Sequence, residues 1–180
     1  MNQKHKMGFN QQVTFPTELG LVAMDGKYYV TQDFYQGINS LVKSEQKHKI
    51  YLKNGTFTPK IASQAFLLKM DINLKKHTNF IIGVKDITIE YRRLSQTLII
   101  KKLGENKVRI QKLISSTKKN NLNLQILADT FSVEVIANNI SAFTLSACLS
   151  YYEGILLRIS GNIETSNLSI QELFKIKRSP

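Results

Sequence analysis

Residues 79–102 read NFIIGVKDITIEYRRLSQTLIIKK, and apolar side chains recur there at every second position before and after a break at residues 85–86. The alternating apolar residues are Phe80, Ile82, Val84, Ile87, Ile89 and Tyr91. A period of two is typical of β-strands with one buried face, because successive side chains point to opposite sides of a strand. The stretch therefore predicts two adjacent strands.

The same pattern continues to residue 137. Residues 97–102 and 107–113 flank a predicted three-residue hairpin loop at 104–106, and residues 121–128 and 131–137 flank Asp129-Thr130. Short connections of this kind join antiparallel neighbours. We therefore expect a twisted antiparallel sheet of about five or six strands over residues 79–137.

The N-terminal part predicts hairpins followed by helices. Asp25-Gly26 and Asn54-Gly55 each lie between apolar runs and indicate hairpins, because glycine adopts the positive φ of such turns. Thr31 is a predicted N-cap for a helix that ends in the polar stretch 44–48. Thr58-Pro59 predicts a second helix, which runs to about residue 72, since proline is well tolerated at the first helical position.

Two further helices are predicted after the sheet. Apolar residues spaced three or four apart predict a long helix from Asn138 or Asn139 to Ile159. Ser169 and Glu172 have the spacing of a capping box and predict a last short helix. The predicted fold class is thus α+β, with a helix-covered sheet and an N-terminal hairpin–helix unit. The predicted organisation is a disordered basic arm (1–10), a hairpin and helix lobe (11–78) and a sheet domain (79–180), the last two forming one domain or two.

The positive charge of the chain is concentrated in one segment. Residues 91–120 carry +8 of the formal net charge of +12, with Glu105 as the only acid. A local excess of this kind favours an anionic partner such as nucleic acid. In a strand, Lys107, Arg109 and Gln111 would share one face about 6–7 Å apart, close to the spacing of successive phosphates.

The leading hypothesis is therefore a nucleic-acid-binding protein, with DNA favoured over RNA, whose basic strand ribbon at 91–119 contacts phosphates. The predicted binding residues are Arg92, Arg93, Lys101, Lys102, Lys107, Arg109, Gln111, Lys112, Lys118 and Lys119.

Two alternatives remain open. Asp86 and Glu90 are candidate carboxylates of a small Mg²⁺-dependent nuclease, a class that holds its metal with acids on neighbouring strands. The other alternative is an assembly protein with a basic surface, which forms a homo-oligomer through the predicted 140–159 helix.

Other classes of function lack a signature. The nine glycines are dispersed and the three histidines stand apart, so neither a cofactor nor a metal site is predicted. The single cysteine, Cys148, excludes an internal disulfide and is expected to be a small buried apolar residue. No secretory signal or membrane insertion is predicted, and a cytoplasmic, nucleoid or nuclear location is expected.

Overall fold

The computed structural model describes residues 14–103, 108–112, 120–130, 132–146 and 156–174, and within these ranges the chain is almost entirely β-strand. The strands are β1 (Thr17–Met24), β2 (Lys27–Phe34), β3 (Val42–Phe57), β4 (Phe66–Asn73), β5 (Asn79–Val84), β6 (Ile87–Arg92), β7 (Thr97–Lys102), β8 (Val108–Lys112), β9 (Asn121–Ala128), β10 (Ser132–Ala137), β11 (Ser141–Ser146) and β12 (Leu157–Leu173). One short 3₁₀-helix, Gln36–Leu41, joins β2 to β3. It is not long and apolar enough to cross a membrane, and the described residues contain no other helix.

Two sheets form. β1 and β2 make an antiparallel hairpin, and the other ten strands make one sheet in the order β11-β10-β9-β4-β12-β5-β6-β7-β8, with β3 also paired to β12. The sheet has two halves, one formed by β5–β8 and the other by β4 and β9–β11. Strand β12 connects them, because its residues 157–162 pair with β5 and its residues 166–172 pair with β4. Strand β3 pairs with β12 over both parts, with register shifts between them.

The large sheet curls so that its two halves share one core. Phe80, Ile89 and Ile100 of the β5–β8 half belong to the same buried cluster as Leu68 and Leu124 of the half formed by β4 and β9–β11. Burial of alternate residues from both halves is the arrangement of a β-sandwich. At the far edges, Arg109 Nη1 on β8 donates to the Thr144 carbonyl on β11 at 2.9 Å.

A second, smaller core covers the opposite face of the β4–β9–β10 strands. Leu67, Leu127 and Ile136 point away from the main core and contact Phe34 and Ile38 from the segment that contains β2 and the 3₁₀-helix. These three strands are therefore buried on both faces at these positions, which explains the short apolar runs at residues 66–68, 126–128 and 135–137.

Asp33 fastens the N-terminal segment to that face. Its Oδ1 accepts from Gln125 Nε2 at 2.9 Å, and its Oδ2 accepts from Asn139 Nδ2 at 3.2 Å. The Gln32 N–H donates to the Asn139 carbonyl at 2.6 Å. Nearby, Glu134 accepts from the Phe15 N–H at 2.8 Å, and burial raises the pKa of the Glu134 carboxyl.

The predicted α+β class is wrong, because strands occupy most of the regions expected to be helical and the 3₁₀-helix is the only helix among the described residues. After Thr31 the chain continues as β2, and the region of the Thr58 helix holds an irregular segment and β4. The segment that was predicted to form a helix from Ser169 lies inside β12. In β4 the residues Phe66, Leu67 and Leu68 are fully buried, so both faces of the strand are covered, whereas an amphipathic helix buries one face.

The long helix predicted over 138–159 is also absent where the chain is described. Residues 141–146 form β11, and β12 begins at Leu157. In β11, Phe143 and Leu145 are buried whereas Ala142 and Thr144 are exposed, which is a strand pattern. The homo-oligomer through a 140–159 helix is therefore a wrong prediction. Cys148 and the N-terminal arm at 1–10 lie outside the described residues.

The strands predicted over 79–137 are confirmed, within a residue or two at their ends. The hairpin turn at Asp25-Gly26 is confirmed as well, with positive φ at both residues. Asn54-Gly55 lies within the continuous strand β3 rather than in a hairpin, although Asn54 has a positive φ of 49°.

Candidate functional site

The outer face of the β5–β8 half, which points away from the core, carries polar and apolar side chains in aligned rows. Direct pairing across five neighbouring strands places one residue of each strand in the same row. The first row consists of Ser160 on β12, Ile81 on β5, Glu90 on β6, Ile99 on β7 and Ile110 on β8.

The next row lies two residues further along the strands. It consists of Asn162, Asn79, Arg92 and Thr97, on β12, β5, β6 and β7. The two rows together bring amide, carboxylate, guanidinium and hydroxyl groups next to the exposed side chain of Ile81.

A cavity of about 450 Å³ lies over these rows, and we call it the groove. Its floor and walls are formed by Asn79, Phe80, Ile81, Glu90, Tyr91, Arg92, Leu94, Ser95, Ser160, Gly161 and Asn162. Tyr91 and Phe80 are buried and their rings stack with centroids 5.3 Å apart, so they support the groove from beneath. Leu94, almost fully exposed in the β6–β7 turn, lies at its rim.

Glu90 and Arg92 form an ion pair within the groove. Arg92 Nε donates to Glu90 Oε1 at 2.6 Å, and this hydrogen bond raises the pKa of the Arg92 guanidinium. The two residues are two positions apart on β6, so both side chains project from the same face. Among the hydrogen bonds between described residues, this one uses Nε of Arg92 and Oε1 of Glu90 and does not involve the terminal nitrogens of Arg92 or Oε2 of Glu90.

A close approach of two strands shapes the other wall. Gly161 has φ of +123°, and a Cβ there would overlap the Asn79 carbonyl oxygen and lie 2.9 Å from the Phe80 Cα. Beside it, Asn162 Nδ2 donates to Asn54 Oδ1 at 2.7 Å, and the Asn54 N–H donates to Asn162 Oδ1 at 2.9 Å. This reciprocal pairing fixes the amide of Asn162.

The predicted basic residues that the structure describes do not form one ribbon. Arg92 lines the groove, and Arg93 lines a separate cavity beside it. Lys101 lies opposite Thr88 on the outer face, whereas Lys102 lies opposite Ile87 on the other side of β7. Arg109 projects toward β11, as its bond to Thr144 shows.

The remaining predicted positions are not covered by the structure. Lys107, Lys118 and Lys119 lie outside the described residues, as do the side chains of Gln111 and Lys112. Residues 108–112 form a strand, as predicted, so their side chains alternate between the two faces. The apolar Val108 and Ile110 are on the exposed face.

The two candidate nuclease carboxylates are not brought together. Asp86 lies in the β5–β6 turn, and Glu90 lies four residues along β6, about 13 Å away at the rise of a strand. Glu90 is instead paired with Arg92. No group of three or more potential metal ligands occurs among the residues that the structure describes.

Comparison with known proteins identifies the fold. The chain resembles the exo-inulinase of Aspergillus awamori, with 15% identity, a TM-score of 0.72, and coverage of 90% of this chain and 36% of that one. It also resembles the sucrose-6-phosphate hydrolase of Lactobacillus gasseri, with 16% identity, a TM-score of 0.62, and coverage of 88% and 33%. A fructofuranosidase of Schwanniomyces occidentalis is 16% identical, with a TM-score of 0.66 and coverage of 88% and 39%.

This chain therefore spans roughly a third of the length of the solved structures it resembles. At these identities the likeness shows a shared β-sandwich fold. No family model matches the sequence, and no curated protein matches it either.

The nucleic-acid-binding prediction is wrong. The chain shares its fold with about a third of each of three structures whose names refer to enzymes acting on sugars. Of the basic residues expected to form one phosphate-binding surface, those that the structure describes point in different directions. A cluster of charged residues in the sequence does not show which face of the sheet each side chain occupies, because adjacent residues of a strand point to opposite faces.

Sequence reasoning missed most of the groove. Glu90 and Arg92 were singled out for other roles, but Asn79, Ser160 and Asn162 were not recognised. Asn79 begins a predicted strand, whereas Ser160 and Asn162 follow a predicted helix. They meet only because β12 pairs with β5, a contact between segments about eighty residues apart that no local pattern indicates.

Proposed function

We propose that this chain is a saccharide-binding β-sandwich module and that the groove is its binding site. The observation that carries the proposal is the Glu90–Arg92 pair, held at 2.6 Å beside the amides of Asn79 and Asn162 in a cavity of about 450 Å³. A cavity of this size suits a small ligand.

The polar groups of the groove match the chemistry of sugars. Each sugar hydroxyl donates one hydrogen bond and accepts others, so a site needs donors and acceptors side by side. Oε2 of Glu90 accepts, the terminal nitrogens of Arg92 donate, and hydrogen bonds to charged groups are the stronger ones. Because the two side chains hold each other in place, little conformational entropy is lost when a ligand binds.

Apolar contacts are available beside these polar groups. Ile81 is 43% exposed and Leu94 is 99% exposed, and both line the groove. The carbon-bound hydrogens of a sugar ring form apolar surface that packs against such side chains. Binding sites for small molecules commonly combine an apolar lining with a few placed polar groups.

The groove supports binding better than hydrolysis. Glycosidases of the two-carboxylate type place their carboxyl groups roughly 5–10 Å apart across the scissile bond. Among the described residues that line the groove, Glu90 is the one carboxylate. We therefore assign Glu90 to ligand binding.

The names of the similar structures suggest the first ligands to test. They refer to inulin, sucrose 6-phosphate and fructofuranosides, so fructose-containing saccharides come first. Isothermal titration calorimetry with sucrose, inulin oligosaccharides and levan oligosaccharides tests the proposal, with maltotriose as a specificity control.

The decisive variant is Glu90→Gln/Arg92→Gln. A matched control is Glu45→Gln/Lys47→Gln, because Glu45 and Lys47 are also two positions apart on a strand and ion-paired, at 3.3 Å, but do not line the groove. We expect the groove variant to bind at least about tenfold more weakly, since it loses charged hydrogen bonds. Equal weakening by both variants, or no binding by the unmodified chain, contradicts the proposal.

A further inference from the structure

A second cavity of about 560 Å³ lies beside the groove. We call it the basic pocket. It is lined by Asn73, Leu74, Lys75, Lys76, Arg93, Leu94 and Asn120. Leu94 lines both cavities, so the two are adjacent and separated by that side chain.

Three cationic side chains line the basic pocket, and an ion pair with a neighbouring carboxylate neutralises one of them. Lys75 Nζ pairs with Glu164 Oε2 at 3.2 Å, which offsets one charge. Arg93 Nη2 donates to Asn120 Oδ1 at 3.3 Å, but this amide is neutral. Lys76 is exposed and makes no ion pair with any residue that the structure describes. Among the described residues neither Lys76 nor Arg93 has a carboxylate partner, and two such cations in one concave site attract an anion.

The position of the basic pocket relative to the groove is fixed by hydrogen bonds. The Arg93 N–H donates at 3.0 Å to Oδ1 of Asn79, which lines the groove. The Gln96 N–H donates to the Arg93 carbonyl at 3.2 Å and closes the β6–β7 turn that carries Leu94. A ligand that spans Leu94 would therefore meet both cavities in a defined geometry.

We infer that the saccharide bound in the groove carries an anionic substituent, a phosphate, sulfate or carboxylate group, which lies in the basic pocket. This inference rests on the function proposed above. Arg93 would bind the anion through paired N–H donors, and Lys76 would act as a mobile point charge. The formal net charge of +12 adds a long-range attraction for such a ligand.

The test compares two sugars that differ only in the anion, sucrose and sucrose 6-phosphate, by isothermal titration calorimetry with inorganic phosphate as a third probe. The pocket variant is Lys76→Gln/Arg93→Gln, which leaves intact the backbone N–H that donates to Asn79. Its matched control is Lys43→Gln/Lys49→Gln, which removes the same charge from exposed positions on β3 that line neither cavity.

We expect sucrose 6-phosphate to bind about tenfold more tightly than sucrose and than inorganic phosphate, because charged hydrogen bonds add to those of the sugar. This advantage should disappear in the pocket variant, persist in the control variant, and shrink as salt concentration rises.

Three results overturn the inference. Equal affinity for the two sugars does so while leaving saccharide binding in the groove intact. Equal affinity for sucrose 6-phosphate and inorganic phosphate shows an isolated anion site without a sugar contribution. If neither sucrose nor sucrose 6-phosphate binds, the proposed function and the inference are rejected together.

Discussion

Arg92 Nε donates to Glu90 Oε1 at 2.6 Å, from two positions further along the same strand, on the outer face of the sheet. Arg92 is exposed, and Glu90 is about a fifth exposed. Pairs this close to solvent contribute little to folding, because water already stabilises both charges. The proposed function gives this pair a role in ligand binding, which stability measurements can separate from a role in folding.

Replacing this pair should leave the fold intact. We expect Glu90→Gln/Arg92→Gln to change the free energy of unfolding by less than about 1 kcal/mol. Urea denaturation followed by circular dichroism measures this change. A much larger loss of stability would assign the pair a structural role and remove the basis for interpreting its binding defect.

Gly161 should be intolerant of any side chain. Its φ of +123° and the overlap of an added Cβ with the Asn79 carbonyl predict that Gly161→Ala lowers the free energy of unfolding by about 2–4 kcal/mol. Gly26→Ala is the matched control, because Gly26 also has positive φ but has open space around it, and about 1 kcal/mol is expected there. Similar losses in both variants would contradict the close approach of β12 and β5.

The inward and outward faces of neighbouring strands β7 and β8 can be told apart by truncation. Ile100 is fully buried, so Ile100→Ala should cost about 2–5 kcal/mol. Ile110 is 65% exposed, and Ile110→Ala should stay within about 0.5 kcal/mol of the unmodified chain. Thermal and urea denaturation report both values, and a large cost at Ile110 would show that β8 has the opposite face buried.

Lys85 should make stability depend on alkaline pH. Burial lowers the pKa of its ammonium from 10.5 to about 8 in the folded chain, although the nearby Asp129 and Asp86 raise it. Between these two values the unfolded chain binds more protons, so this contribution to stability increases as pH rises from about 8 to 10.5. As pH falls through about 8 the contribution is lost.

The corresponding measurement compares the melting temperatures of the unmodified chain and Lys85→Met between pH 7 and pH 10. The difference between them should shift in favour of the unmodified chain as pH rises, because the variant lacks the titrating group. Parallel pH profiles would mean that Lys85 is not the group responsible.

Local pattern in the sequence was sufficient for the strands at residues 79–137 and for the turn at Asp25-Gly26. Local pattern failed where a strand is buried on both faces, because apolar residues then do not alternate with polar ones. Phe66, Leu67 and Leu68 are an example, since all three are fully buried. Such a run is compatible with a helix or a strand until its partners are known. For β4 those partners are β12 and β9, about a hundred and about fifty-five residues later in the chain.

The site was even less accessible to sequence reasoning. Charge along residues 91–119 predicted one basic surface, but Lys101 and Lys102 lie on opposite sides of β7. Glu90 was predicted as a nuclease carboxylate and Arg92 as a phosphate contact. Their neighbours Ser160 and Asn162 belong to β12, a strand whose start was predicted to be the end of a helix and the segment after it. Long-range pairing supplied the information that composition and spacing lacked.

The most direct test of saccharide binding in the groove is a ¹H–¹⁵N correlation spectrum of the labelled chain, titrated with fructose-containing oligosaccharides. Binding in the groove predicts saturable shifts of the amide signals of Asn79, Ile81, Glu90, Arg92 and Ser160, with those of β10 unchanged. Shifts confined to β9 and β10, or an unchanged spectrum at the highest saccharide concentration, would contradict the assignment of the groove as the binding site.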